Sequence, residues 1–141
     1  MSPRSGPRTG PCTGADARNR LTQARAFCDA AGLVLEDESE IAGPGVAAAL
    51  AVLGGIAAVD AACCAALRKR ARGQDHREAT RLIAAVRPHG TQMAKRLERL
   101  LAAKDDAHYG LKLVSRSNAA KFVGYARELA AFANEVVVAN I

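Results

Sequence analysis

At 141 residues and 14.7 kDa the chain is about one domain long, and its 50% apolar and 24% charged content excludes wholesale disorder and collagen-like repeats. Ala supplies 32 residues, Trp none and Phe plus Tyr only five, a composition rich in the best helix former and poor in the residues that fill sheets. Lys and Arg number 20 against 14 Asp and Glu, for a net charge of +6, and between Arg68 and Arg99 ten bases face only Asp75, Glu78 and Glu98. Such a stretch suits either an ordinary solvated surface or the attraction of phosphate.

In chain order, residues 1–14 carry Pro3, Pro7, Pro11, Gly6, Gly10 and Gly14 without apolar periodicity. They are expected to form a disordered tail ahead of a single domain over 15–141. They also lack the apolar core of a signal peptide. A first helix is expected from about Ala15 to Val34, with Leu21, Ala24, Cys28, Ala31 and Leu35 as its core stripe. The acidic run Glu36-Asp37-Glu38-Ser39-Glu40 then makes a solvated connection.

Pro44 suits the first turn of a long second helix, expected to reach about Ala71 and to stop at Gly73. From Val46 to Leu67 its only charge is Asp60. The length is enough to span a membrane, but the Ala and Gly content and the mid-segment Asp favour the buried central helix of a soluble bundle. Gly54-Gly55 costs about 2 kcal/mol against Ala-Ala in helix propensity, so another helix is expected to cross closely there, or the helix to bend.

Asp75 and Glu78 read as a capping box for a short third helix with Ala79, Leu82, Ile83 and Val86 inward, ended by Pro88-His89-Gly90. A fourth helix starts at Thr91 and carries Ala94, Leu97, Leu100, Leu101 and Lys104. A fifth follows a cap at Ser115 or Ser117 and holds Phe122, Tyr125, Leu129, Phe132 and Val136. Val136-Val137-Val138 is too short and too near the end to support a sheet.

Few residues carry chemistry. The four cysteines have neither metal nor redox spacing and read as small buried thiols in a reducing cytoplasm. Asp60 needs a buried partner, with Tyr109, His76, Lys104 and Tyr125 as candidates, and Asp60, His76 and Tyr109 form a candidate polar network. Lys104, His108 and Tyr109 are the candidate catalytic residues, since Lys104 and His108 share a helix face and could steady phosphate and move a proton. Arg70 and His76 form a weaker pair of that kind. Arg68, Lys69, Arg70, Arg72 and Arg77 are candidate phosphate contacts. No metal site, phosphate loop, nucleophile elbow or other cofactor motif is present in the sequence.

Gly55 to Cys64, Arg72 to Ala79 and Lys104-Asp105-Asp106-Ala107-His108-Tyr109, in that order, resemble a branch of small HEPN-domain proteins. The resemblance covers roughly residues 15–135. It implies an all-α up-and-down bundle of four to five helices, often a homodimer. Members of that family include RNA-cleaving toxins, substrate-binding partners of nucleotidyltransferases and many inactive modules, so the resemblance implies either a non-catalytic module for protein interaction, as in a toxin–antitoxin-like system, or a metal-independent ribonuclease. The active ribonucleases carry Arg, four to six residues, then His; Lys104 stands in the place of that Arg, and only three residues separate it from His108. The expectation is therefore a cytoplasmic, non-catalytic interaction or self-association module, with no cofactor and no membrane. A ribonuclease, or an RNA or DNA binder using the basic 68–99 surface, is the alternative, and a second copy or a cognate protein is the expected partner.

Overall fold

A computed structural model describes residues 8–73 and 75–141, without the side chains of 105–109. It is all-α apart from one short ribbon, in the order β1 (Thr9–Pro11), α1 (Gly14–Glu36), α2 (Gly43–Leu67), β2 (Lys69–Ala71), α3 (His76–Ala84), α4 (Gly90–Tyr109) and α5 (Arg116–Asn140). Helix α2 is the axis of the bundle, with α1 and α5 as its principal neighbours and α4 and α3 packed against it less extensively.

Local chemistry accounts for the helix ends. The Thr13 hydroxyl accepts from the Asp16 N–H while the Asp16 carboxylate accepts from the Thr13 N–H, a reciprocal cap that starts α1. Pro44 lies in the first turn of α2, where its missing N–H costs nothing. Asp75 caps α3 by accepting from the Glu78 N–H, but Glu78 does not reach back; it pairs with Arg81 instead. Ser115 caps α5 through the Asn118 N–H.

The glycine pair lies where helices cross. A side chain at Gly54 would start 3.1 Å from Cys28 Sγ and 3.2 Å from Phe27 Cβ, both on α1. At Gly55 it would start 2.5 Å from Leu100 Cδ1 on α4 and 3.3 Å from Leu129 Cδ1 on α5. The lost helix propensity is therefore offset by close approach on two sides. With Ala at most other inward positions of α2, the layers are thin and the bulk of Leu97, Leu100, Leu129 and Phe132 comes from the partners.

Three expectations are corrected at the C-terminal end of α2. The helix stops at Leu67, because Arg68 turns left-handed at φ 57° with its N–H on the Cys64 carbonyl, and the chain leaves as β2 rather than as more helix. Residues 8–14 belong to the domain rather than to a disordered tail: β1 pairs antiparallel with β2, setting Thr9 opposite Ala71 and Pro11 opposite Lys69. Nor are all the cysteines thiols. Cys12 and Cys64 are joined in a disulfide, while Cys28 and Cys63 are free and buried. Closing a loop between partners 52 positions apart restricts the unfolded chain by an amount worth about 4 kcal/mol in the chain-entropy picture.

Two glycine substitutions separate crossing from propensity. Gly54→Leu should lower the midpoint of thermal unfolding by an amount equivalent to about 2–3 kcal/mol, through overpacking against α1. Gly124→Ala, in open space on α5, should raise stability by about 0.5–1 kcal/mol. Equal effects at both positions would remove the close-crossing argument.

Candidate functional site

The single charge of α2 is met by two arginines. Asp60 is 7% exposed, and its Oδ2 accepts from Arg20 Nε at 3.1 Å, Arg20 Nη2 at 2.9 Å and Arg70 Nη1 at 3.2 Å. Arg20 flanks the buried stripe of α1, next to Leu21, and Arg70 comes from β2. Among the described residues these two stand where His76, Lys104 or Tyr125 was expected, and the Tyr109 side chain lies outside the described residues. Tyr125 lies on α5 under two other cations, with Arg96 Cζ 5.2 Å and Arg99 Cζ 5.9 Å from its ring centre. The Asp60 cluster clamps α1, α2 and the ribbon together. Its arginines reach water with their outer atoms while the carboxylate stays inside, so the charge is compensated without being fully desolvated.

His76 opens α3 and meets Lys104 of α4, with Lys104 Nζ 3.0 Å from His76 Nε2. An ammonium can only donate, so Nε2 accepts and the neutral ring carries its proton on Nδ1. Burial, and then the Lys104 charge, lowers the His76 pKa below its ordinary value, against weaker opposing effects of Asp75 and Asp60. His76, Arg77, Thr80, Arg81, Glu98 and Leu101 line a shallow cleft of about 570 Å³ between α3 and α4. Of the candidate catalytic trio, Lys104 is thus placed beside His76, while the side chains of His108 and Tyr109 lie outside the described residues. Arg70 turns to Asp60 rather than to His76.

The basic stretch is spread over separate tasks. Arg68 donates to the Asn140 carbonyl at 3.4 Å, Arg70 pairs with Asp60, Arg81 with Glu78 and Arg96 with Glu128. Lys69 and Arg72 are exposed at the ribbon, and Arg77 sits at the cleft. Among the described residues, no group of three or more His, Cys, Asp or Glu is placed to hold a metal ion.

A second feature is apolar, and only the structure reveals it. Along α2, Val46 and Leu53 are 49% and 41% exposed, and Ala49, Leu50 and Ile56 between and beyond them are partly exposed. The spacing of three, four and seven puts all five on one face. Continued along the helix, that face reaches Asp60 under its arginines and then Cys64 under β1. Its C-terminal half is covered and its N-terminal half is open. Exposed Ile41 lies at the same end as Val46, and Val114 comes within 3.9 Å of where a Gly45 side chain would begin, which brings the exposed Leu111 and Leu113 to that end as well. Helix α2 is long and apolar enough to cross a membrane by length and composition, yet 72% of its most apolar window is buried inside the bundle.

No protein-family model matches the chain, and no curated protein sequence matches it.

Two substitutions test the polar contacts. Asp60→Asn keeps the shape and removes the charge, and should cost about 1–3 kcal/mol in denaturant unfolding, because the buried end of the clamp loses its charge-assisted bonds. For His76, the lowered pKa means that the unfolded chain takes up a proton first as pH falls. Its contribution is intact above pH about 6.5 and is lost below it. The melting temperature of the parent protein should therefore fall more steeply than that of His76→Gln between neutral pH and pH about 5. Parallel profiles would show that His76 is not held neutral by the fold.

Proposed function

We propose that this chain is a non-catalytic helical module that works by self-association, with the open face of α2 as its interface. The observation that carries the reading is the uncharged strip Val46–Ala49–Leu50–Leu53–Ile56, left exposed on the helix that is otherwise the core of the bundle. Contiguous apolar surface of this kind, bordered by charge, marks contact sites on soluble proteins.

Charge at the two ends of α2 favours a second copy as the occupant. Exposed Glu36, Asp37, Glu38 and Glu40 precede the helix, and exposed Arg68, Lys69, Arg70 and Arg72 follow it. A twofold axis beside Leu50 and Leu53 would run two α2 helices antiparallel and pair Val46 of one copy with Ile56 of the other. The acidic end of each copy would then lie over the basic end of its mate, an arrangement that is self-complementary in both shape and sign. The resemblance to HEPN domains, many of which pair, supports the same reading and a cytoplasmic setting within a toxin–antitoxin-like system.

The ribonuclease alternative has one observation in its favour, the His76–Lys104 pair at a cleft that also holds Arg77. Against it, the cleft is shallow and Glu98 shares its lining with Arg77 and Arg81.

The experiment is sedimentation analysis across a concentration series at low and high salt. The expected result is a dimer in the micromolar range, weakened by salt and converted to monomer by Leu53→Arg with no loss of helicity. A monomer at every concentration, or a dimer indifferent to Leu53→Arg, would overturn the reading; RNA loss that depends on His76 would favour the alternative.

A further inference from the structure

We propose that the Cys12–Cys64 disulfide is a redox latch that holds the N-terminal strap, residues 8–12, over the C-terminal half of the α2 face. Among the described residues, few contacts other than this bond hold the strap. Its ladder with β2 is three residues long, and the flanking backbone bonds run from the Cys12 N–H to the Arg68 carbonyl at 3.1 Å and from the Arg72 N–H to the Arg8 carbonyl at 2.9 Å. A two-stranded ribbon of this length does not persist in water without other support. Its principal packing partner is β2, so the covalent bond to Cys64 is what ties it to the core.

The rest of the domain does not depend on the strap. Helix α1 begins after it with its own reciprocal cap at Thr13 and Asp16, and Arg20 and Arg70 reach Asp60 from outside it. Opening the bond therefore frees residues 8–12 while the bundle stays folded. Two electrons and two protons convert the S–S bond to the Cys12 and Cys64 thiols, and a dithiol reductant such as dithiothreitol closes to its cyclic disulfide. The released strap uncovers the edge of β2, with Lys69, Arg70 and Arg72 beside it, and Cys64 itself, which is 0% exposed while the latch is shut. Cys63 is a poor competitor for the exchange, because burial, with a smaller contribution from Asp60, pushes its thiol up to about 12. In a reducing compartment such bonds are transient and sense oxidant, whereas in an oxidising one they stay closed. The latch is a property of the single chain and stands or falls independently of self-association.

The test follows amide hydrogen exchange in the full chain, oxidised and after dithiothreitol, with alkylation and mass mapping to show which cysteines have opened. In the oxidised chain Cys12 and Cys64 should resist alkylation. After reduction both should be labelled, Cys63 should not, and the Cys12 and Arg72 amides should lose nearly all protection, while α1, α2 and α5 stay folded and lose only what the opened loop costs in global stability. Cys12→Ser without reductant should reproduce the reduced pattern. Ready alkylation of Cys12 and Cys64 in the oxidised chain would overturn the proposal. So would strap amides that stay protected after complete reduction, or strap and bundle amides that open together with the same free energy, which would make the bond a general staple.

Discussion

A helix of 25 residues with one charged side chain cannot face water on all sides, and the architecture follows from that constraint on α2. Ala and Gly make the helix thin, so its neighbours come close and supply the bulk. Gly54 admits α1, and Gly55 admits Leu100 and Leu129 from α4 and α5. The lone carboxylate is tolerated because two arginines from different elements converge on it. At the C-terminal end, where no helix covers the face, a two-stranded ribbon and a disulfide do so. Among the described residues, the strip from Val46 to Ile56 is the part of this face left without cover.

Much of this architecture was legible in the residue order. The periodicity of Leu21, Ala24, Cys28 and Ala31, the caps at Asp75 and Ser115 and the near-absence of charge from α2 define an all-α bundle with α2 at its centre. The Gly54-Gly55 pair announced a close crossing, since a helix keeps such costly residues only where a neighbour needs the room. These signals are local, and local chemistry determines them.

What was illegible depends on contacts between residues far apart in the chain. Nothing near Asp60 marks Arg20, forty positions away, as its partner; the one hint is that Arg20 flanks the core stripe of α1. The ribbon escaped notice because strands of three residues have no readable period, and Pro11 and Gly10 speak for a loop. The end of α2 was misplaced because Arg68 takes a left-handed conformation that glycine usually supplies, while Gly73, the expected stop, sits in the turn that follows at φ 56°. The disulfide could not be read from spacing, since Cys12 meets Cys64 only after the strap has folded back. The open strip was hidden for another reason: composition shows that a helix is apolar all round, but not which part of its circumference the bundle leaves bare.

The open strip and the latched half of this face carry the proposed self-association and the proposed latch, whereas the His76–Lys104 cleft is shallow. The most direct test is an isotope-filtered NMR experiment on mixed labelled and unlabelled protein, which reports only contacts between different copies. Contacts joining the methyl groups of Val46, Leu50, Leu53 and Ile56 across copies, in an antiparallel pattern, are the expected result. Contacts confined to another surface, or none at concentrations where the strip should be occupied, would contradict the assignment of this face as the interface.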